Sequence, residues 1–197
     1  MKKIFFLLAF ALLLTGCDSK VITVMNPNGD SKTYQFFINA DYNPEIYTLK
    51  LKNDETDITI INDQDRNYYR LKTQSGITEV IEKNSIKYTI SKATKTYTEE
   101  PITLLDNYGL GYLPADMEVL KTQSYKTGTK WHGLTRYTFE EYDYDGGTTT
   151  YYFKGNELKY IENKTALEEN TVEFISINNK IDDTKFDLPN NYQAITY

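Results

Sequence analysis

The chain contains a single histidine, His132, which is the first residue to test for acid–base or metal chemistry. A nucleophilic triad would need a serine or cysteine activated by this histidine, and no Gly-x-Ser-x-Gly turn is present. A zinc site would need two or three carboxylates as further ligands, and none is spaced for that role. Because His132 lies between Trp131 and Gly133, we expect a strand-start histidine beside a turn, and no cofactor or catalytic role.

Acidic residues form two segments that resemble parts of calcium-binding loops. The densest cluster consists of Glu140, Glu141, Asp143 and Asp145. Strand alternation would place the last three on one face, but the closing glutamate of a calcium loop is missing. The segment 63–67 has the Asp-x-Asp-x-Asn start of such a loop, but Tyr68 stands where glycine is required and Gln74 where glutamate is. We therefore expect hairpin ends and no metal at both places. No carboxylate pair is placed to act as a glycosidase acid and base.

The N-terminus has the pattern of an export signal. Lys2 and Lys3 precede an unbroken apolar run, 4–14, which is shorter than the ~20 residues that span a bilayer. The run ends at Leu14-Thr15-Gly16-Cys17, which resembles the lipobox of bacterial lipoproteins. That resemblance implies a signal peptide over 1–16, acylation of Cys17, and an extracytoplasmic protein anchored in a membrane. Stable anchoring takes more than one acyl chain, and a diacylglyceryl cysteine supplies two.

Asp18 bears on which membrane carries the anchor. An aspartate directly after the lipidated cysteine resembles the enterobacterial signal for retention at the inner membrane. The alternative is a solvated tether residue in a cell with a single membrane. The bias toward Lys, Asn, Ile and Tyr is typical of a low-GC genome and favours the single membrane.

Length and charge exclude several classes of protein. A chain of 197 residues suits one domain. The net charge of −6 becomes −8 once Lys2 and Lys3 leave with the signal peptide, and this acidic balance opposes nucleic-acid binding. Because Cys17 is the only cysteine, the sequence allows no disulfide and no cysteine metal site. After a tether over 17–30, we expect one domain over 31–197.

Most of that domain alternates apolar and polar residues in short runs, the period-2 pattern of half-buried strands. The predicted strands are 33–40, 46–52, 57–61, 67–72, 77–82 and 85–91, separated by turn clusters rich in Asn, Asp and Gly. The first strand would place Tyr34, Phe36 and Ile38 on one face. The second would place Tyr47, Leu49 and Leu51 on one face. The pattern predicts a mainly β fold, a curved antiparallel meander sheet forming a half-barrel or unclosed barrel.

Only the middle of the chain favours helices. Pro101 suits a first helical turn and Gly109 the position after the last turn, so that Ile102, Leu104, Leu105 and Tyr108 would line one side of a short helix. The segment 114–120 is a second candidate. We therefore expect one or two short helices.

Two C-terminal hairpins determine which aromatic residues share a face. A two-residue loop at Gly155-Asn156 would pair Phe153 with Leu158 and Tyr151 with Tyr160. At residues 145–147 a two-residue loop would put Tyr142 on the face of Tyr151, whereas a three-residue loop would put Phe139 opposite Phe153. We favour the longer loop because it gathers the aromatic residues on one face. This face, a candidate for binding an apolar ligand, comprises Tyr137, Phe139, Tyr151, Phe153, Leu158 and Tyr160.

The last 60 residues are similar to the final strands of the LolA/LolB-like lipoprotein-carrier superfamily. The segments that carry the likeness are 149–161, 171–177 and the closing Phe186-Asp187-Leu188-Pro189-Asn190-Asn191-Tyr192, which matches the Phe-x-x-Pro-x-x-Tyr ending of those carriers. The resemblance implies an unclosed barrel around lipid acyl chains with helices as a lid. Those carriers usually begin with an amphipathic helix, whereas residues 21–40 here read as strand.

These observations lead to two interpretations. In the first, a membrane-anchored lipoprotein binds or carries a hydrophobic ligand or lipid on its aromatic face. In the second, a non-catalytic cell-envelope surface protein binds a protein partner through a sheet edge or an exposed aromatic patch. An open aromatic concavity would favour the first, and a filled core would favour the second.

Overall fold

A computed structural model describes residues 21–25, 28–103 and 111–195. The predicted signal peptide, Cys17, Asp18 and most of the first helix candidate lie outside these residues. Thirteen strands lie in the described part of the chain. In order they are β1 (Ile22–Val24), β2 (Ile46–Lys52), β3 (Asp57–Asp63), β4 (Arg66–Thr73), β5 (Gly76–Lys83), β6 (Ile86–Ser91), β7 (Thr96–Pro101), β8 (Tyr125–His132), β9 (Thr135–Tyr144), β10 (Gly147–Lys154), β11 (Glu157–Thr165), β12 (Glu169–Asn178) and β13 (Gln193–Ile195).

All thirteen strands form one sheet that does not close into a barrel, which confirms the predicted fold class. The strands β2–β7 form one meander and β8–β12 a second, and β12 pairs with β2 to join them. Each outer edge ends in a three-residue strand, β1 on β8 and β13 parallel to β7. The segment predicted as a tether therefore supplies an edge strand.

Among the described residues two short helices are present, α1 (Lys32–Asn39) and α2 (Met117–Thr122), and a 3₁₀ helix covers Asp183–Phe186. α2 begins later than predicted because the side chain of Asp116 caps it, accepting hydrogen bonds from the backbone N–H groups of Glu118 and Val119. Pro101 is the last residue of β7 and not the start of a helix. The rest of that candidate, from Leu104 onward, lies outside the described residues.

The predicted strand over 33–40 is wrong, because this segment is the helix α1. Ser31 caps α1, its side chain accepting from the backbone N–H of Tyr34 at 3.2 Å. The helix turns Thr33 and Phe37 toward the sheet, both fully buried, and leaves Ile38 49% exposed. The alternation of Tyr34, Phe36 and Ile38 therefore does not identify the buried face. The buried face is identified by the helical spacing of Thr33 and Phe37, which are four residues apart.

The main core lies between α1, α2 and the face of the sheet that they cover, here called the inner face. Tyr47, Leu49 and Leu51 lie on this face as predicted. Phe37 is at its centre and contacts the rings of Tyr42 and Tyr151 at centroid distances of 5.1 and 5.8 Å. On the opposite, outer face the C-terminal segment closes a second core, in which Phe186 packs with Ile61, Tyr68, Ile81 and Ile90.

The register of the C-terminal hairpins differs from the prediction in two places. Gly147 pairs with Tyr144, so the loop before β10 has two residues, Asp145 and Gly146, and the three-residue loop is wrong. Gly146 supports the short loop because it adopts a φ of +94°. Phe153 pairs with Leu158 as predicted, but Lys159 forms a bulge, so that Tyr151 pairs with Ile161 and not with Tyr160.

These two shifts divide the predicted aromatic face. Tyr151, Phe153 and Leu158 lie in the main core on the inner face. Tyr137, Phe139 and Tyr160 lie on the outer face with Tyr152. A bulge adds one residue to a strand and so reverses the faces beyond it. The single aromatic surface of six residues therefore does not exist.

Candidate functional site

The inner face is not an open concavity where α1 crosses it. Phe36 contacts the rings of Phe153 and Phe174 at 6.3 and 5.3 Å, so the helix fills the space above β10 and β12. Tyr151 and Phe153 are 3% and 1% exposed, so the part of the sheet beneath α1 offers little surface to a ligand. A site on this face has to lie beside α1.

Such a site lies beneath α2, between that helix, the segment 111–116 and strands β9 and β10. It is a cleft of about 390 Å³, here called the α2 cleft. Its apolar lining comes from Leu113, Val119 and Leu120 and from the rings of Tyr142 and Tyr151. Asp116, Gln123 and Asp143 also line it. A cavity of about 300–1,000 Å³ with an apolar wall and a few polar groups is typical of small-molecule sites.

The hydroxyl groups of three side chains hold the segment 111–116 in place over the cleft. The Tyr42 hydroxyl donates to the carbonyl of Pro114 at 2.9 Å, and the Tyr151 hydroxyl donates to the carbonyl of Tyr112 at 3.3 Å. The hydroxyl of Thr149 donates to the carbonyl of Gly111 at 3.3 Å. These bonds satisfy carbonyls that would otherwise be left without partners near an apolar wall.

The tyrosine hydroxyls at the cleft stay protonated at neutral pH. Burial raises the pKa of Tyr142 far above its ordinary value, and the negative charge of Glu140 raises it further. Burial, followed by the neighbouring Tyr42 and Tyr142, raises the pKa of Tyr151. The cleft therefore presents neutral rings to a ligand.

Glu140 connects the sheet to α1. Its carboxylate accepts from the backbone N–H groups of Lys32 and Thr33 at 2.9 and 2.8 Å, and from the Thr33 hydroxyl at 2.7 Å. The Tyr142 hydroxyl also donates to it, at 3.1 Å. A carboxylate at a helix N-terminus satisfies N–H groups that lack an intrahelical partner. Glu140 thus has a structural role, which its position in the acidic cluster did not indicate.

The remaining acidic candidates lie at hairpins and in ion pairs. Glu141 and Asp143 both pair with Lys126, at 2.9 and 3.1 Å. Asp63 binds Arg66, which also pairs with Asp183 at 2.9 Å. Within residues 21–25, 28–103 and 111–195, no three His, Cys, Asp or Glu side chains are grouped to hold a metal ion.

His132 is the last residue of β8 and pairs with Thr135 across a turn, so it lies at the end of a strand and not at its start. Its ring lies 4.6 Å from the ring of Tyr160, centroid to centroid.

No helix in the described part of the chain is both long and apolar enough to cross a membrane.

Sequence reasoning missed the residues that build the α2 cleft. Strand alternation places Tyr142 on the face of Tyr151 only with a two-residue loop, and not with the longer loop that the sequence favours. Val119 and Leu120 lie in the second helix candidate, 114–120, but no sequence pattern connects them to the sheet. A scan against protein-family models finds no match for the chain, and a search of curated proteins finds no related sequence.

Proposed function

We propose that this protein is a lipid-anchored, extracytoplasmic lipoprotein that binds one apolar ligand, such as an acyl chain, in the α2 cleft. The observation that carries the proposal is the cleft itself, with its apolar wall and fixed hydroxyls. We propose no catalytic step, since a binding role requires only the burial of apolar surface.

The mouth of the cleft supports an apolar ligand. Val119 lines the cleft and is 55% exposed, although Leu120 beside it is 3% exposed. A ligand that covers Val119 removes apolar surface from water and gains about 25 cal/mol per Å². The neighbouring Asp116 and Gln123 offer polar groups for one end of such a ligand.

The short connection to the proposed anchor also supports the assignment. Ile22 is five positions after Cys17 in the chain, and five residues of extended chain span at most ~18 Å. Ile22 begins β1, which pairs with β8 at Tyr125 to Thr127. Since α2 ends at Thr122, an acylated Cys17 would keep the cleft near the membrane surface. The net charge of −8 would discourage adhesion of the rest of the domain to anionic lipids.

The likeness to the LolA/LolB-like carriers adds support. Those proteins begin with an amphipathic helix, and in this chain the helix α1 follows the edge strand β1. The likeness implies an unclosed barrel with a helical lid, and we compare these with the unclosed sheet and the helix α2 beside an apolar cleft. This part of the proposal concerns architecture, because fold alone does not decide function.

Native mass spectrometry of the soluble chain from Asp18 onward tests ligand binding. We expect a co-purifying apolar species and a loss of thermal stability when it is extracted. Val119→Glu should abolish both effects, because it places a charge at the apolar mouth. Ile175→Glu is the matched control, since Ile175 is an apolar residue of β12 that is 50% exposed and outside the cleft. No bound species, or equal binding by both variants, would contradict the proposal.

The anchor is tested separately by Cys17→Ala. We expect the variant to lose palmitate labelling and to leave the membrane fraction, because no other cysteine is present to be acylated. A variant that is still labelled and still sediments with membranes would refute the lipobox interpretation. Fractionation of inner and outer membranes tests retention through Asp18.

A second candidate is the protein-binding surface role, which the filled core beneath α1 favours. Trp131 and Leu134 at the turn between β8 and β9 are 59% and 99% exposed, and they favour a contact with a partner there. The sheet edges favour it less, because β1 and β13 are each three residues long and short edge strands discourage pairing. Cross-linking at residue 134 in intact cells would test this role.

A further inference from the structure

A second groove lies on the outer face of the sheet, away from the α2 cleft. It encloses about 400 Å³ between the turn after β2, the end of β8 and the middle of β11 and β12. Its lining is mainly polar and includes Asn53, Asp54, His132, Tyr160, Thr171 and Glu173. These residues come from four different parts of the chain, and the sheet brings them together.

One wall of this outer groove is aromatic. The ring of His132 lies 4.6 Å from that of Tyr160 with an interplanar angle of 49°. Tyr137 packs edge-on against Tyr160 at 5.5 Å and is 8% exposed, so it supports the wall from below. An adjoining depression shares His132, Tyr160 and Thr171 and is bordered by Trp131.

The charges of the groove restrict the class of ligand. Two carboxylates, Asp54 and Glu173, line it and oppose an anion. Lys52 lines it as well and offsets one of these two negative charges. In the described residues no triad of His, Cys, Asp or Glu could hold a metal ion. A neutral ligand with many donors and acceptors fits this balance.

We propose that the outer groove binds a neutral sugar. A pyranose ring has an apolar C–H face that packs on aromatic rings such as those of His132 and Tyr160. Its hydroxyl groups donate to carboxylates such as Asp54 and Glu173 and accept from the amide of Asn53 and the hydroxyl of Thr171. The volume suits one or two sugar units. This site does not depend on the α2 cleft, because the two lie on opposite faces of the sheet.

The only tryptophan of the chain reports on binding directly, since Trp131 precedes His132 and borders the adjoining depression. The full-length protein, purified from membranes in a detergent without sugar, is titrated with glucose, N-acetylglucosamine and the β-1,4-linked disaccharide of N-acetylglucosamine. We expect a saturable change in Trp131 fluorescence with at least one of them. Choline chloride and inorganic phosphate, titrated in parallel, should give no saturable change.

Glu173→Gln and Asp54→Asn should each weaken the affinity by about tenfold, because each removes a charged acceptor. Asp57→Asn is the matched control, since Asp57 is a half-exposed carboxylate paired with Lys72 outside the groove and should leave the affinity unchanged. The proposal is overturned if no sugar gives a saturable change up to tens of millimolar. It is also overturned if only choline or phosphate does, or if Glu173→Gln and Asp54→Asn bind sugar as tightly as the control.

Discussion

At the scale of single residues, Glu140 shows how one buried carboxylate fixes a helix. It is 5% exposed and binds two backbone N–H groups and two hydroxyl groups. The carboxylate comes from β9, 107 residues away from Thr33 in the chain. A helix of eight residues is too short to be stable alone, so its position depends on such contacts.

Glu140→Ala should therefore lower the free energy of unfolding by about 2–4 kcal/mol, since it leaves several buried donors without an acceptor. The control is Glu141→Ala on the other face of β9. Glu141 pairs with Lys126 near the surface, and its loss should cost about 0–1 kcal/mol. Urea unfolding followed by circular dichroism measures both. Equal effects for the two variants would contradict the role given to Glu140.

At the scale of elements, the hairpin of β9 and β10 determines which of its side chains lie on the inner face. The C-terminal segment determines what covers the outer face. Gly147 begins β10 against β11, and a Cβ atom there would lie 2.1 Å from the carbonyl oxygen of Lys164. The C-terminal segment covers the outer core with Phe186, whose ring lies 4.3 Å from the guanidinium of Arg66. The Lys83 ammonium also donates to the carbonyl of Phe186 at 2.6 Å.

Gly147→Ala should destabilise the protein by about 1–3 kcal/mol, because the added methyl group meets backbone that has to move. Hydrogen exchange of the β10 and β11 amides near this hairpin should become faster. Thr148→Ala, at the next position, is the control and should leave those amides protected. Unchanged exchange in Gly147→Ala would show that β11 approaches β10 less closely than described.

Phe186→Ala should lower the free energy of unfolding by about 3–5 kcal/mol, because it leaves a cavity against Ile61, Tyr68 and Ile81. Increased binding of a hydrophobic dye should accompany the loss. Lys185→Ala changes the same 3₁₀ helix but removes an exposed side chain, and it should have little effect. A Phe186 variant as stable as the Lys185 variant would mean that the segment does not close the outer core.

At the scale of the whole molecule, buried tyrosines connect stability to pH. Burial is the largest cause of the raised pKa in each of Tyr42, Tyr47, Tyr68, Tyr142, Tyr151 and Tyr152. It raises the pKa of Tyr47 and of Tyr152 to about 12. An unfolded tyrosine loses its proton near pH 10. Above that pH the folded state therefore binds more protons than the unfolded state.

The free energy of unfolding should be independent of these groups below about pH 10 and fall between about pH 10 and 12. Each buried tyrosine contributes at most about 1.4 kcal/mol per pH unit in that window. Urea unfolding at pH 8, 9, 10 and 11 measures the slope. Tyr47→Phe should reduce the slope, since it removes one titrating group, whereas a mutant slope equal to that of the unmodified protein would contradict this origin.

The local pattern of the chain determined most strands and the inward face of 46–52, because alternation with a period of two needs no distant partner. It did not determine which aromatic residues share a face. Alternation alone would keep the six residues together, but the extra residue at Lys159 and the two-residue loop at 145–146 move part of them to the opposite face. It also did not determine α1, whose N-terminus is satisfied by Glu140 from another strand.

The sequence by itself therefore determined that the fold is mainly β. It also contains the motif for an anchor at Cys17, and that anchor remains a prediction. Only the tertiary structure shows where the clefts that we propose as ligand sites lie. The α2 cleft and the outer groove each combine residues from separate strands, a helix or turns. Such combinations follow from register and from the packing of a helix on a sheet, and both depend on contacts between residues far apart in the chain.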